Sequence, residues 1–122
     1  MTKHYVYIVS NANRTVYVGM TNDLVRRVEQ HKKGTFENAF TKRYNFDRLV
    51  YIEELLSRSE AARREKQIKG WTRAKKNALV ATLNPDWDDL SSNWTDIKRG
   101  SFASLRIRSQ LATDAALRTD TR

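Results

Sequence analysis

The chain has 122 residues, no cysteine and a net charge of +9 from 23 basic and 14 acidic residues. This length predicts one domain, and the lack of cysteine excludes a disulfide framework and a thiolate metal site. No apolar run has membrane-spanning length and no signal core precedes the first β-prone run, so we expect a cytoplasmic protein without a membrane partner. The positive charge favours an anionic partner, above all nucleic acid. The alternatives are a solvated basic surface or attraction to anionic lipid.

A β-hairpin followed by a helix is predicted at the N-terminus. Residues 3–9 and 15–20 are rich in Tyr, Val and Ile, and the turn-forming stretch SNANR separates them. TNDL then opens a helix with Thr21 or Asn22 as its N-cap. This helix should end near Gly34. Its 3.6-residue period places three residues on one face, namely Leu24, Val28 and His31.

The middle of the chain predicts a loop, a third strand and a second helix. Residues 34–47 have no clear period and are both basic and aromatic, as expected of a functional loop. Residues 48–54, RLVYIEE, form the third β-prone run. A capping box of Ser57 and Glu60 opens the next helix, which should run to about Lys69 before a glycine.

The last part of the chain divides into the end of a domain and a tail. Residues 72–83 predict a third helix, and Trp87 and Trp94 should return to the core. Residues 95–122 are rich in Ser, Thr, Ala and Arg, which is typical of a tail that holds a weak helix and becomes ordered only when docked. The predicted fold is an α/β domain over residues 1–94, with a small, mostly antiparallel three-stranded sheet flanked by three helices.

A carboxylate stands within the apolar stripe of the second helix. Glu65 lies four residues after Ala61 and three before Ile68, and Ala62 belongs to the same stripe. A carboxylate that faces inward needs a partner, because burying it alone costs several kcal/mol. The partner is either a divalent cation or an arginine, with Arg27 as the obvious candidate. The spacing alone favours the ion pair.

Arg27 and His31 are neighbours on one side of the first helix. The planar guanidinium of Arg27 suits phosphate oxygens, although most arginines are simply exposed. His31 is by itself more typical of a helix-end cap than of a catalytic group.

Two tyrosines on the facing strands could meet at one point. Tyr7 and Tyr17 share a face of the sheet only in one strand register, and a slip of one residue would send them to opposite faces. Half-buried packing is the common role of such tyrosines. Gly19 would allow another group to approach closely.

Taken together, these segments resemble the GIY-YIG nuclease superfamily. Its two signature triplets correspond to YVY, residues 5–7, and YVG, residues 17–19. The helix TNDLVRRVEQH and the later EAARREKQIKGW are also similar to family segments. EKQIKGW with NPDWDDL looks most like the small stand-alone bacterial branch, and the resemblance covers about residues 3–94.

The resemblance implies a catalytic role for individual residues. Tyr17 would help to activate the attacking water, with Tyr7 hydrogen-bonded nearby. Arg27 would hold the scissile phosphate, and His31 would assist proton transfer or bind phosphate. Glu65 would be the single protein ligand of Mg²⁺ or Mn²⁺, a normal arrangement for an ion that keeps several waters. A nearby arginine and a metal would lower the pKa of a tyrosine from about 10 toward usefulness.

An asparagine near the end of the domain often completes such sites. Asn84 is the predicted residue and Asn77 is the alternative. Two positions depart from the family pattern. Tyr5 replaces the first glycine, and Met20 stands where the repair-excinuclease branch has a lysine. The missing charge would have to come from elsewhere, for example from Lys42 and Arg43.

The function implied is metal-dependent hydrolysis of DNA phosphodiester bonds, either structure-directed or weakly specific, in DNA repair or recombination at the nucleoid. The partner would be branched or flexible duplex DNA, with specificity from substrate shape or a protein partner. The basic residues expected to follow the DNA backbone are Arg26, Lys32, Lys33, Lys42, Arg43, Arg63, Arg64, Lys75 and Lys76. The alternatives are a non-catalytic nucleic-acid-binding module and a protein-interaction scaffold in which Arg27 and Glu65 form a structural pair.

Overall fold

A three-stranded antiparallel sheet carries helices on both faces. The computed structural model describes residues 3–35 and 44–93. In chain order the elements are β1 (His4–Ser10), β2 (Val16–Thr21), α1 (Leu24–Lys33), β3 (Arg48–Leu55), α2 (Arg58–Lys69), α3 (Arg73–Leu83) and a 3₁₀ turn (Leu90–Asn93). The strand order is β2-β1-β3, with both pairs antiparallel. The predicted sheet with three helices is confirmed. Trp94, most of the predicted functional loop and the tail lie outside the described residues, so the domain boundary stays a prediction.

The strand register places Tyr7 and Tyr17 on the same face of the sheet. Tyr7 lies opposite Gly19, and Val9 lies opposite Tyr17. Directly paired residues on neighbouring strands point to the same face of the sheet, and so do residues two apart on one strand. Tyr17 is two residues from Gly19, so it shares the face of Tyr7. The register that the sequence left open is therefore the one that brings the two phenol rings together.

Each face of the sheet has its own apolar core. On one face, Val6 and Ile8 of β1 pack with Ala61 and Ile68 of α2 and with residues of α3. Trp87 is buried in this core, as predicted. On the other face, the core contains Tyr7 and Val9 of β1, Leu24 and Val28 of α1, and Phe46, Leu49 and Ile52. The candidate site is built on this second face, beside α1.

The N-caps hold the helices in the predicted places, with one correction. The carboxylate of Asp23, not Thr21 or Asn22, caps α1 by accepting the backbone N–H of Arg26. Thr21 is the last residue of β2, and its hydroxyl accepts the N–H of Asp23. Gly34 ends α1 in the left-handed conformation, at φ 72°, which glycine adopts without steric cost. Ser57 caps α2 as predicted.

Arg64 of α2 is a largely buried charge, with 14% of its side chain exposed. Its guanidinium donates to both carboxylate oxygens of Glu53, at 2.7 Å and 3.2 Å. The hydroxyl of Tyr51 donates to the same carboxylate at 2.6 Å. The Arg64 guanidinium is therefore engaged within the protein, and contact between Arg64 and a DNA backbone stays a prediction. Ala62, predicted to lie in the apolar stripe, is exposed.

Candidate active site

Two strands and one helix bring Tyr7, Tyr17 and His31 into one cluster. The Tyr7 hydroxyl lies 2.9 Å from His31 Nε2 in the protein interior. The ring of Tyr17 lies 5.5 Å from the His31 ring and 6.5 Å from the Tyr7 ring, measured between centroids. The ring of Phe46 packs beside that of Tyr17, with 6.1 Å between the centroids. Tyr7 is completely buried, whereas Tyr17 is half-buried, so Tyr17 is the tyrosine that solvent can reach.

Gly19 makes room for the hydroxyl end of Tyr7. A Cβ atom built on Gly19 would lie 2.5 Å from Tyr7 Oη and 2.6 Å from Cζ. These distances are too short for any side chain, so the strand needs glycine here while Tyr7 keeps this position. The group whose close approach Gly19 allows is thus the protein's own tyrosine.

Burial sets the protonation states of the Tyr7–His31 pair. Burial, and then the charge of Arg27, lower the pKa of His31 to about 4, so the imidazole is neutral at pH 7. Burial raises the pKa of Tyr7, and this outweighs the opposing effect of the Arg27 guanidinium beside it. Arg27 thus acts on the pKa of Tyr7 in the expected downward direction, but burial is the larger effect. We assign the neutral Tyr7 hydroxyl as the donor and His31 Nε2 as the acceptor.

Arg27 is fixed at the edge of this cluster. Its Nη1 donates to the carbonyl of Met20 and its Nε to Gln30 Oε1, both at 3.3 Å. Both acceptors are uncharged. Because an ionised acceptor makes a stronger bond with a guanidinium, an anion that reached Arg27 would compete well with them.

Two surface clefts meet at Arg27. The first has a volume of about 270 Å³, and Arg27 lines it together with His4, Met20, Thr21, Asn22 and Arg58. The second has a volume of about 280 Å³, and Arg27 lines it together with Thr21, Asn22, Asp23, Arg26 and Gln30. The predicted backbone-contacting residue Arg26 therefore stands beside Arg27. Arg58 was missed by the sequence reasoning, because nothing in its spacing links the start of α2 to the end of β2.

Glu65 of α2 belongs to the same region of the molecule. Its charge contributes to the raised pKa of Tyr7. Its carboxylate forms an ion pair at 3.1 Å with Lys69, four residues later, and the Lys69 ammonium lies 5.6 Å from the centroid of the Tyr17 ring. The sequence favoured an ion pair between Glu65 and an arginine, with Arg27 as the candidate, whereas the ion pair observed is with Lys69. The i, i+4 spacing was the available signal.

The donor set of this region suits a metal ion that is completed by its substrate. Residues 3–35 and 44–93 contain no group of three or more His, Cys, Asp or Glu that could hold an ion. The Glu65 side chain keeps 21% of its surface exposed and offers one carboxylate. One carboxylate with waters and phosphate oxygens is a normal environment for Mg²⁺, so the residues fit the predicted ion.

Asn84 has a structural role at the end of α3. Its amide nitrogen donates to the carbonyls of Val50 and Asp88, at 3.1 Å and 2.8 Å. Its amide oxygen accepts the backbone N–H of Asp88. Main-chain groups thus engage both ends of its buried amide, and a catalytic role for Asn84 stays a prediction. The alternative, Asn77, has a buried Oδ1 without a hydrogen-bond partner in the described part of the chain.

The other predicted backbone-contacting residues are dispersed. Lys32 forms an ion pair with Asp89 at 2.8 Å, so it ties α1 to the end of the domain. The Lys75 ammonium lies 4.5 Å from the centroid of the Trp71 ring. Lys33 and Arg63 are exposed and Lys76 is half-buried. Lys42 and Arg43 lie outside the described residues.

Comparison with known proteins gives a consistent result. The family model described as the GIY-YIG catalytic domain matches residues 3–77. A UPF0213 protein of Syntrophus aciditrophicus is 36% identical over 86 residues, which are 70% of this chain and 98% of the relative. A UPF0213 protein of Natronomonas pharaonis is 44% identical over 79 residues, or 64% and 91% of the two chains. The solution NMR structure of the UPF0213 protein BH0048 from Bacillus halodurans is 32% identical and covers 75% of this chain and 96% of its own, with a TM-score of 0.48.

Proposed function

This chain belongs to the GIY-YIG family, a family of endonucleases, and from that premise we propose that it hydrolyses DNA phosphodiester bonds with the help of a divalent metal ion. One observation supports the proposal most directly. A half-exposed Tyr17 packs against the buried Tyr7–His31 pair. The charge of Arg27 acts on both members of that pair, and the charge of Glu65 acts on Tyr7. A phenol, a guanidinium and a carboxylate from three separate segments therefore meet in one region.

Arg27 is the residue that we propose for binding the scissile phosphate. Two of its acceptors are a backbone carbonyl and an amide oxygen, and a phosphodiester oxygen would offer it a stronger, charge-assisted bond. Hydrolysis builds negative charge on the phosphate oxygens, so a guanidinium held in place stabilises the transition state more than the substrate.

Tyr17 is the residue that we propose for positioning the attacking water. Tyr7 is completely buried, so we assign it to holding the His31 ring against Tyr17 rather than to contact with water. His31 is neutral at pH 7, and because its Nε2 already accepts the Tyr7 hydroxyl, a proton would reach it by way of Tyr7. A phosphodiester beside Arg27 would offset the positive charge there, and this would raise the pKa of His31 and make it a better base.

Glu65 is the residue that we propose for holding Mg²⁺ or Mn²⁺. The bound ion would supply positive charge to the phosphate oxygens. Lys69 forms an ion pair with this carboxylate, but the Lys69 side chain is 47% exposed and can turn toward solvent. An exposed ion pair of this kind contributes little energy, so its loss costs little.

Contacts to phosphates carry no sequence information. We therefore propose that substrate shape or a protein partner directs the enzyme to branched or flexible duplexes.

A cleavage panel tests this function. Linear, branched, flapped and single-stranded DNA, and RNA, are incubated with wild type in Mg²⁺, Mn²⁺ or EDTA. We expect metal-dependent nicking that falls by roughly 100-fold or more in Glu65→Gln and Tyr17→Phe, with DNA binding retained. Glu29→Gln removes the same charge from an exposed position on α1 and serves as the matched control, with activity unchanged.

The second candidate is a nucleic-acid-binding module without catalysis. The observation that favours it is the ion pair between Glu65 and Lys69, which would be permanent in such a module. Salt-sensitive binding by wild type, together with no cleavage of any substrate under either metal, would select this candidate. Absence of binding as well would select a protein-interaction scaffold.

A further inference from the structure

We propose that the cleft of about 270 Å³ beside Arg27 is a second phosphate-binding site, with Arg58 as its main ligand. The inference rests on the proposed function and extends it. If Arg27 holds the phosphate that is cleaved, Arg58 holds a neighbouring phosphate of the same strand.

The charge of the cleft walls carries this inference. Arg27 of α1 and Arg58 of α2 face one space, together with His4 of β1 and the polar Thr21 and Asn22. Met20 contributes no charge to this wall, and none of the described residues that line it is acidic. The second cleft at Arg27 differs, because Asp23 lines it. A cleft lined by charge of one sign concentrates counter-ions of the opposite sign.

Arg58 is available for such a ligand. Its side chain is exposed and makes no hydrogen bond or ion pair with the rest of residues 3–35 and 44–93. Two other arginines of the described chain are engaged, since Arg64 binds Glu53 and Arg73 donates to the carbonyls of Asn13 and Arg14. Because Arg58 has no carboxylate partner among the described residues, an anionic ligand would give it a charge-assisted hydrogen bond that the protein does not supply.

The size of the cleft indicates what it can hold. Sites for drug-sized molecules usually have volumes of roughly 300–1,000 Å³, and this cleft is smaller. It is wide enough for one phosphate group with its waters. Because it shares Arg27 with the second cleft, which Arg26 lines, a nucleic-acid backbone that crosses Arg27 would have a cation on each side.

The test measures DNA binding without cleavage. A fluorescein-labelled flap duplex is titrated with protein in EDTA, and anisotropy gives the affinity at several salt concentrations. We expect Arg58→Gln to lower the affinity several-fold at low salt and to reduce the slope of log K against log salt by about one. Arg58→Lys keeps the charge and should restore most of that slope. Thermal unfolding of each variant shows that the fold is kept.

The matched control is Arg48→Gln, which makes the same charge change at the opposite end of the sheet. Arg48 pairs with Ser10 in the strand register, whereas His4 pairs with Leu55. Equal effects of Arg48→Gln and Arg58→Gln would overturn the second phosphate site. If the slope depends on Arg58 but wild type never cleaves with metal, the site stands and the nuclease proposal fails. If wild type shows no salt-dependent binding, both fail.

Discussion

The Tyr7 hydroxyl and His31 Nε2 lie 2.9 Å apart although 24 residues separate them in the sequence. This hydrogen bond joins the central strand to α1 in a region where neither group meets bulk water. Because burial keeps the imidazole neutral and the phenol protonated, the two side chains complement each other as donor and acceptor. The hydrogen bond thus links two elements of the fold, and the two residues that it joins form the buried side of the candidate site.

Tyr7→Phe should destabilise the protein while keeping its shape. The change removes the donor and leaves a buried acceptor without its bond, which costs about 1–3 kcal/mol. Urea unfolding measures the loss. Tyr5→Phe changes a half-buried tyrosine of the same strand and should cost less. Equal stability of Tyr7→Phe and wild type would show that the bond contributes nothing.

The stability of the protein should fall in mild acid because of His31. Above about pH 6.5 the imidazole is neutral in the folded and unfolded chains, and its contribution is fully present. Between pH 6.5 and about 4 the unfolded chain binds a proton that the folded protein refuses, so stability decreases as the pH falls. The size of this effect is on the order of 3 kcal/mol.

Unfolding of wild type and His31→Gln at pH 7 and pH 4 isolates this contribution, because the carboxylates titrate in both proteins. Wild type should lose more stability than His31→Gln across that interval. His4→Gln removes the other histidine and should keep the wild-type pH profile. A His31→Gln profile parallel to that of wild type would contradict the buried neutral imidazole.

The sequence predicted the elements well and the charge pairs poorly, for a physical reason. Helix period placed Leu24, Val28 and His31 on one buried face, and all three are buried. The spacing of Tyr7 and Tyr17 could not fix their register, because that depends on how two strands meet. Lys32 is indistinguishable in sequence from any exposed lysine, and only the folded chain brings it to Asp89.

Gly19→Ala should strain the core of the candidate site. The added methyl group would fall 2.5 Å from Tyr7 Oη, and such overpacking costs about 1–3 kcal/mol. The loss should shrink in a Tyr7→Ala background, since the two changes share one contact. Gly70→Ala is the control, because the nearest neighbour of its added methyl group would lie at an ordinary 3.5 Å. An undiminished loss in the Tyr7→Ala background would place the strain elsewhere.

Arg64→Met should be the most destabilising of these substitutions. The side chains of Arg64 and Glu53 are only 14% and 7% exposed, so removing the guanidinium leaves a buried carboxylate whose remaining neutral donor is Tyr51. Loss of one member of such a pair costs about 3–5 kcal/mol. Arg63→Met, at the exposed adjacent position, should stay within about 0.5 kcal/mol of wild type. Urea unfolding compares the stabilities of the two variants. In the Arg64→Met background, Glu53→Gln should recover part of the lost stability because it removes the unpaired buried charge. Similar losses for Arg63→Met and Arg64→Met would mean that the Glu53 carboxylate is not confined to the interior.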